Sequence, residues 1–385
     1  MGPRRLLTMQ GSLLLVLAAV GAAVGAAVGA GACGSFGDAS ESTTDGGPSP
    51  EGAPGNAATG AACPPPEGPS CLVGLCTKRT LYAPDGEAFP FAITTDSAYV
   101  FWLEQQSADL DNPYDGQGAA RVLRTTRAGS TTPGSAEVLA VGQRLATGLA
   151  LVPPHLYWTT SSGPDATLFR VQAACTAPCV PEQVATYGAR LQRLVGAGSS
   201  ALFALTENGS VVRFPIDPRG KVGAAITPFR TGDIPGIAIT GTHVYGSSLK
   251  VARVGRASLD GVQVSDTWAP LSLVGDDMGL ASLATDCTDL FGAHTRGTIE
   301  RVALDGGQVS PFASLSVDVF DLVADAKYLY AGAANGGGIH AVDKTTGQAT
   351  KIADTSAFRI TVDSAGVYWG VHTRTGGGAL IMLEK

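Results

Sequence analysis

Among the 385 residues, 44% are hydrophobic, 15% charged and 6% aromatic, with 51 Gly and 23 Pro. That length supports one large domain or two ordinary ones with a sizeable core, and the low charge and high Gly content exclude a coiled coil or long-helix protein. The formal charge of −7 argues against nucleic acid as a partner, because phosphate binding needs clustered Lys and Arg.

Reading from the N-terminus, Arg4 and Arg5 precede an uncharged stretch, Leu6 to Gly37, rich in Leu, Val, Ala and Gly, and Ala30-Gly31-Ala32 stands immediately before Cys33. A positive start, an apolar middle and a small-residue exit make residues 1–32 a secretory signal. A cysteine directly after the small residues resembles the lipobox of bacterial lipoproteins, a family that prefers Leu or Val where this chain has Ala30. The resemblance implies that Cys33 carries lipid and becomes the mature N-terminus. Gly34, rather than Asp, follows it, which by the same resemblance implies the outer membrane or cell surface. Plain cleavage after Ala32, giving a secreted or periplasmic protein, and an uncleaved anchor are the alternatives. Removing residues 1–32 leaves 24 basic and 33 acidic residues, a net of −9. Residues 33–62 follow as a tether. From Gly34 on they carry four acids, no bases and almost no large apolar group, so they cannot bury enough surface to offset chain entropy. Such a segment spans ~30 Å root-mean-square.

The seven cysteines are Cys33, Cys63, Cys71, Cys76, Cys175, Cys179 and Cys287. With Cys33 lipidated, an even number remains, as expected of disulfides in an oxidising compartment. Cys175 and Cys179 sit in CTAPC, where a short loop can close a local bridge. Cys63, Cys71 and Cys76 cluster in a lead-in, residues 63–78, from which one of them can reach Cys287. Zinc is the rival reading, but the spacings are not paired CxxC and no His lies near.

From residue 79 onward one pattern recurs seven times: a short apolar run, a turn, then a small–apolar–aromatic strand. Its aromatics are Phe101, Tyr157, Phe203, Tyr245, Phe291, Tyr330 and Tyr368, spaced by 56, 46, 42, 46, 39 and 38 residues. Four-stranded propeller blades repeat on that scale. Five residues before the aromatic stands Asp96, Asp286, Asp325 or Asp363 in four copies, where an Asp side chain can bond turn N–H groups. Each copy continues through a Gly-containing turn into a third strand (RVLRTT, LFRVQ, VVRFPI, VGRASL, IERVAL, IHAVD, ALIML), and six reach a fourth (EVLAV, EQVAT, AAITPF, APLSLV, SPFAS, ATKIA). Pro228, Pro270 and Pro311 fall in fourth strands, which makes these outer, edge strands. The seventh copy ends after its third strand, and a spare strand, Arg79–Ala83, precedes the first copy. The expectation is an all-β, seven-bladed β-propeller of four-stranded antiparallel blades over residues 79–385, its ring closed by strand 79–83 beside strand 379–385.

Leu156-Tyr157-Trp158-Thr159-Thr160 is near a YWTD strand, and Val100-Phe101-Trp102 and Val367-Tyr368-Trp369 are partial ones. On these residues and the repeat the chain resembles the bacterial YWTD, NHL and TolB-like propellers. The resemblance covers the repeats and supports fold rather than function.

The search for chemistry returns little. His155, His243, His294, His340 and His372 show no ligand spacing and read as surface or turn histidines. Asn335–Gly338 and Gly376–Gly378 lie between strands, so they are hairpin turns rather than phosphate cradles. No GxSxG or HExxH occurs. Asp109, Asp111 and Asp115 crowd one loop without EF-hand spacing and read as a solvated loop. Arg124, Arg170, Arg213, Arg256 and Arg301 recur in third strands as locally paired or solvated positions, and Trp268 reads as packing just before a fourth strand. No cofactor or metal is expected.

Geometry leaves one place for function. Segments joining one blade's outer strand to the next blade's inner strand converge around the channel mouth. Here they carry Arg144, Arg190, Arg193, Asp318, Asp321 and Arg359, with Glu87, Asp233 and the adjacent pair Asp276 and Asp277. The candidate ligand-binding residues are Asp276, Asp277, Asp318, Arg144, Arg190 and Arg359, with no catalytic residue assigned. The expected function is a membrane-tethered, non-catalytic binding or scaffold propeller of the envelope, with a protein, peptide or glycan partner. The alternative is a propeller enzyme of lyase or lactonase type, as some similar propellers are, with its site at the channel mouth.

Overall fold

The computed structural model describes residues 76–84, 88–106, 119–128, 135–230, 236–247, 253–271, 280–333, 336–357, 359–372 and 378–385. The leader, the tether, Cys33, Cys63, Cys71, Asp276, Asp277, Glu87, Asp233 and the Asp109–Asp115 loop lie outside them.

Strand order makes seven four-stranded antiparallel sheets arranged in a ring. Blade 1 is β2 (Ala88–Thr95), β3 (Tyr99–Gln106), β4 (Ala119–Thr126) and β5 (Glu137–Arg144). Blade 2 is β6 (Gly148–Val152), β7 (His155–Ser162), β8 (Asp165–Gln172) and β9 (Glu182–Tyr187). Blade 3 is β10 (Leu191–Ala197), β11 (Ala201–Thr206), β12 (Ser210–Pro215) and β13 (Ile226–Arg230). Blade 4 is β14 (Ile237–Ile239), β15 (His243–Ser247), β16 (Arg253–Ser258) and β17 (Val264–Pro270). Blade 5 is β18 (Leu280–Thr285), β19 (Asp289–His294), β20 (Thr298–Ala303) and β21 (Val309–Ser314). Blade 6 is β22 (Val319–Ala324), β23 (Tyr328–Ala333), β24 (Gly338–Asp343) and β25 (Ala349–Ala353). Blade 7 is composite: β26 (Ile360–Val362), β27 (Gly366–His372) and β28 (Gly378–Glu384) are completed by β1 (Lys78–Tyr82). Thr80 stands opposite Ile381 and Lys78 opposite Leu383, so the closure expected from the sequence is the one observed.

Each blade's outermost pairing contains a register shift. Such bulges twist an edge away from further pairing. Pro228, Pro270 and Pro311 all lie in outermost strands, as their missing N–H requires. One boundary differs from expectation. The fourth strand of blade 4 starts at Val264, not near Ala269, because Asp260 caps the preceding turn through the Val262 N–H at 3.0 Å and Ser258 pairs with Gln263 at once. Trp268 therefore lies inside that strand, its ring 5.2 Å from Tyr245.

The core is laid down between blades. Phe101, Leu103, Leu149, Leu151 and Trp158 form one buried cluster across blades 1 and 2, and Tyr82, Trp102, Tyr368 and Met382 form another across blades 7 and 1. All seven repeat aromatics are buried. The recurring arginines stand directly opposite them, Arg124 facing Phe101, Arg170 Tyr157, Arg213 Phe203, Arg256 Tyr245 and Arg301 Phe291. Four of the five are committed locally: Arg124 to Glu137, Arg170 to Glu182 at 2.8 Å, Arg301 to Asp289 at 3.1 Å, and Arg256 over the Trp268 ring at 5.1 Å.

One backbone bond marks the same position in every blade. The residue after the third strand donates its N–H to a carbonyl of that blade's own first hairpin turn. In blades 1 to 4 the donors are Arg127, Ala173, Ile216 and Leu259; in blades 5 to 7 they are Leu304, Lys344 and Lys385. That equivalence defines a ring of seven sites on the face opposite the connectors.

Candidate functional site: the channel and its mouth

Inner strands β2, β6, β10, β14, β18, β22 and β26 line the channel. Arg193 reaches from β10 of blade 3 to β22 of blade 6, where its guanidinium pairs with the Asp321 carboxylate. Asp321 also accepts the Ser282 hydroxyl from blade 5 at 3.0 Å and the Ile360 N–H from blade 7 at 3.0 Å. Ser282 in turn accepts the Leu322 N–H at 3.1 Å. Four blades thus meet at one buried carboxylate. Its partners are a guanidinium, a hydroxyl and a backbone N–H, the set a buried charge needs to be tolerated. Arg193 and Asp321, read from the sequence as connector residues, lie within inner strands and neutralise each other. The register shifts at Leu191/Arg193 and Val319/Asp321 re-aim both side chains, as bulges do.

Above this pair, Asp318 is exposed in the connector from blade 5 to blade 6. Phe320, 40% exposed, is a large apolar side chain at the mouth. Arg359 precedes Ile360, the residue bonded to Asp321, so its backbone runs beside that of Phe320; its guanidinium lies 5.9 Å from the Phe91 ring centroid of blade 1. Arg359 therefore lies in the sector of blades 6, 7 and 1, while Asp318 stands in the connector that bonds back onto blade 5. Arg144 and Arg190 lie elsewhere on the rim. Arg144 ends β5 in an exposed position, and Arg190 donates to the Gly163 carbonyl at 3.1 Å with Glu207 at 4.0 Å.

Two polar pairs, each with a buried carboxylate, carried no sequence signal. Glu104, fully buried at the end of β3, accepts the Arg121 Nε at 2.8 Å. His294, expected at the surface or in a turn, is fully buried instead, with its Nε2 3.1 Å from Glu300. The end of β19 is covered because the next connector bonds back onto it, Val319 N–H to Thr295 O at 3.1 Å and Leu315 N–H to Gly297 O at 2.9 Å. His155 and His243 are half-buried. Burial, with Arg170 or Arg256 beside them, holds both imidazoles below their ordinary range. Among the described residues no group of three or more His, Cys, Asp or Glu is placed to hold a metal ion.

Cys175 and Cys179 form the expected local disulfide, with Cα atoms 6.0 Å apart. Cys76 and Cys287 are each disulfide-bonded.

No family model matches the chain, and no curated protein matches it in sequence. Solved structures match in fold. The WD40 β-propeller domain of Doa1 aligns at TM-score 0.56 and 10% identity, over 79% of this chain and 96% of that one. YCF48 from Cyanidioschyzon merolae aligns at 0.56 and 12%, over 80% and 98%. Saccharomyces cerevisiae Sqt1 aligns at 0.52 and 12%, over 80% and 99%. At such identities the likeness is one of fold: the chain is a seven-bladed β-propeller.

Proposed function

We propose that this protein is a non-catalytic binding or scaffold propeller of the bacterial envelope, held to the membrane by lipid on Cys33. It receives a protein or peptide partner at the channel mouth. The observation that carries the reading is the Arg193–Asp321 pair, which joins blade 3 to blade 6 at the channel with charges already matched to each other, so the reading puts the ligand at the mouth. Supporting it there are exposed Phe320 and Asp318 at the start of the blade 6 inner strand and Arg359 just before that of blade 7, since aromatic and Arg side chains carry most protein–protein binding energy. The connector between β17 and β18, with Asp276 and Asp277, belongs to the same mouth in this reading. The anchor is supported by Arg4, Arg5 and the small residues before Cys33, and the tether by the composition of residues 33–62.

Pull-down from envelope fractions with the full chain tests the reading. Wild type should recover a defined partner, and Phe320→Ala with Arg359→Ala should lose it. No partner, together with a stoichiometric divalent ion and lyase or lactonase turnover in the purified protein, would establish the enzyme instead. For the anchor, Cys33→Ala should move the protein from the membrane to the soluble fraction; unchanged membrane retention contradicts lipidation.

A further inference from the structure

Four of the seven hairpin turns between first and second strands carry an Asp. In each, one carboxylate oxygen accepts two turn N–H groups: Asp96 those of Ala98 and Tyr99, Asp286 those of Thr288 and Asp289, Asp325 those of Lys327 and Tyr328, and Asp363 those of Ala365 and Gly366. In three of them the second oxygen does something the turn does not need. Asp286 of blade 5 takes the Lys344 ammonium of blade 6 at 2.7 Å, Asp325 of blade 6 takes Lys385 of blade 7 at 2.6 Å, and Asp363 of blade 7 takes Arg127 of blade 1 at 2.5 Å. The three cations occupy the equivalent position after the third strand; in the other four blades that position holds Ala173, Ile216, Leu259 or Leu304. At this one position three consecutive seams are therefore ionic and four are aliphatic.

The ionic seams are not distributed at random around the ring. Two of them flank the composite blade on both sides. That blade is also the one assembled from both ends of the domain. Its outer strand β1 is five residues long and joins β28 through no turn, and its inner strand β26 is three residues long. No chain segment joins β1 to β28, whereas every other blade is one continuous meander. Of the three pairs Lys385–Asp325 is the most buried, with side-chain exposures of 0% and 2%, against 16% and 2% for Arg127–Asp363 and 12% and 11% for Lys344–Asp286. Buried hydroxyls complete them, Tyr330 donating to Asp325 at 2.8 Å and Tyr368 to Asp363 at 3.3 Å.

We infer that these pairs are a closure clamp. They hold the composite blade against both neighbours, so that the seam made from the two ends of the domain is not the one that opens first. A buried pair serves this better than an apolar contact because it tolerates no sliding; displacing either partner leaves an uncompensated buried charge.

Hydrogen exchange read by mass spectrometry on the full chain, at neutral pH, tests the clamp. Asp363→Asn keeps the turn bonds and removes only the charge facing Arg127. It should speed exchange of β27 and β28 by about tenfold or more, leaving β11 of blade 3 at its wild-type rate. Asp286→Asn, at the ionic seam away from the composite blade, should leave β27 and β28 unchanged. Should Asp363→Asn not fold, Arg127→Met reads the same seam from its other side. Unchanged exchange in β27 and β28, an equal rise in every blade, or an equal effect of Asp286→Asn on the composite blade would each overturn the proposal.

Discussion

Asp321 is the residue on which most of the channel depends. It gathers Arg193, Ser282 and the Ile360 N–H from three other blades, and it is buried. Asp321→Ala leaves the Arg193 charge without a partner in the channel and should cost about 3–5 kcal/mol in chemical denaturation. Adding Arg193→Ala should cost less than the sum of the two single changes, because the two groups form one interaction. Equal, additive losses would mean that the pair does not form. The half-buried histidines make a separate residue-scale prediction. Burial first, and then Arg170 or Arg256, lowers the His155 and His243 pKa. A base whose folded pKa is depressed contributes stability that is fully present above its unfolded value of about 6.5 and is lost as pH falls. Stability should therefore begin to decline below about pH 6.5, and His155→Gln with His243→Gln should flatten that limb. A double variant whose acid limb matches wild type would contradict this.

At the scale of strands, the blades were legible because the sequence repeats what a blade needs: an aromatic in the second strand, a Gly-containing turn, and, in three blades, a Pro in the outer strand. The turn aspartates were legible for the same reason, since an Asx turn is made within four residues. Their cross-blade partners were not. Lys344 lies 58 residues from Asp286 and Arg127 lies 236 from Asp363, and only the register of neighbouring blades brings them together. The Arg193–Asp321 contact, 128 residues apart, was hidden likewise, although both residues had been placed near the channel. The burial of His294 is not legible in the sequence because nothing local reveals that a connector folds back over its strand. Close approach between strands of neighbouring blades gives an element-scale prediction. A Cβ on Gly370 in β27 would lie 2.1 Å from the Pro90 carbonyl oxygen of β2, so Gly370→Ala must push the composite blade from blade 1. It should destabilise by about 1–3 kcal/mol or more in thermal unfolding, and an unchanged Tm would show that the seam is looser than described.

For the whole molecule, the account is of a ring made from two unlike arcs. From blade 1 round to blade 5 the seams are aliphatic at the position after the third strand. From blade 5 through 7 to blade 1 they are carboxylate–cation pairs, and Asp321 ties blades 5, 6 and 7 on the channel side. The ionic arc contains both ends of the domain and the proposed binding sector, with Asp318, Phe320 and Arg359. Ring closure and the presentation of that sector therefore rest on the same blades. The most direct measurement is covalent trapping of β1 against β28 in the folded full chain. Thr80 and Ile381 face each other across the two strands, so Thr80→Cys with Ile381→Cys should give a disulfide-linked peptide joining positions 80 and 381 in mass spectrometry. Absence of that peptide, or linkage of position 80 to a strand of another blade, would contradict a ring closed by its own two ends.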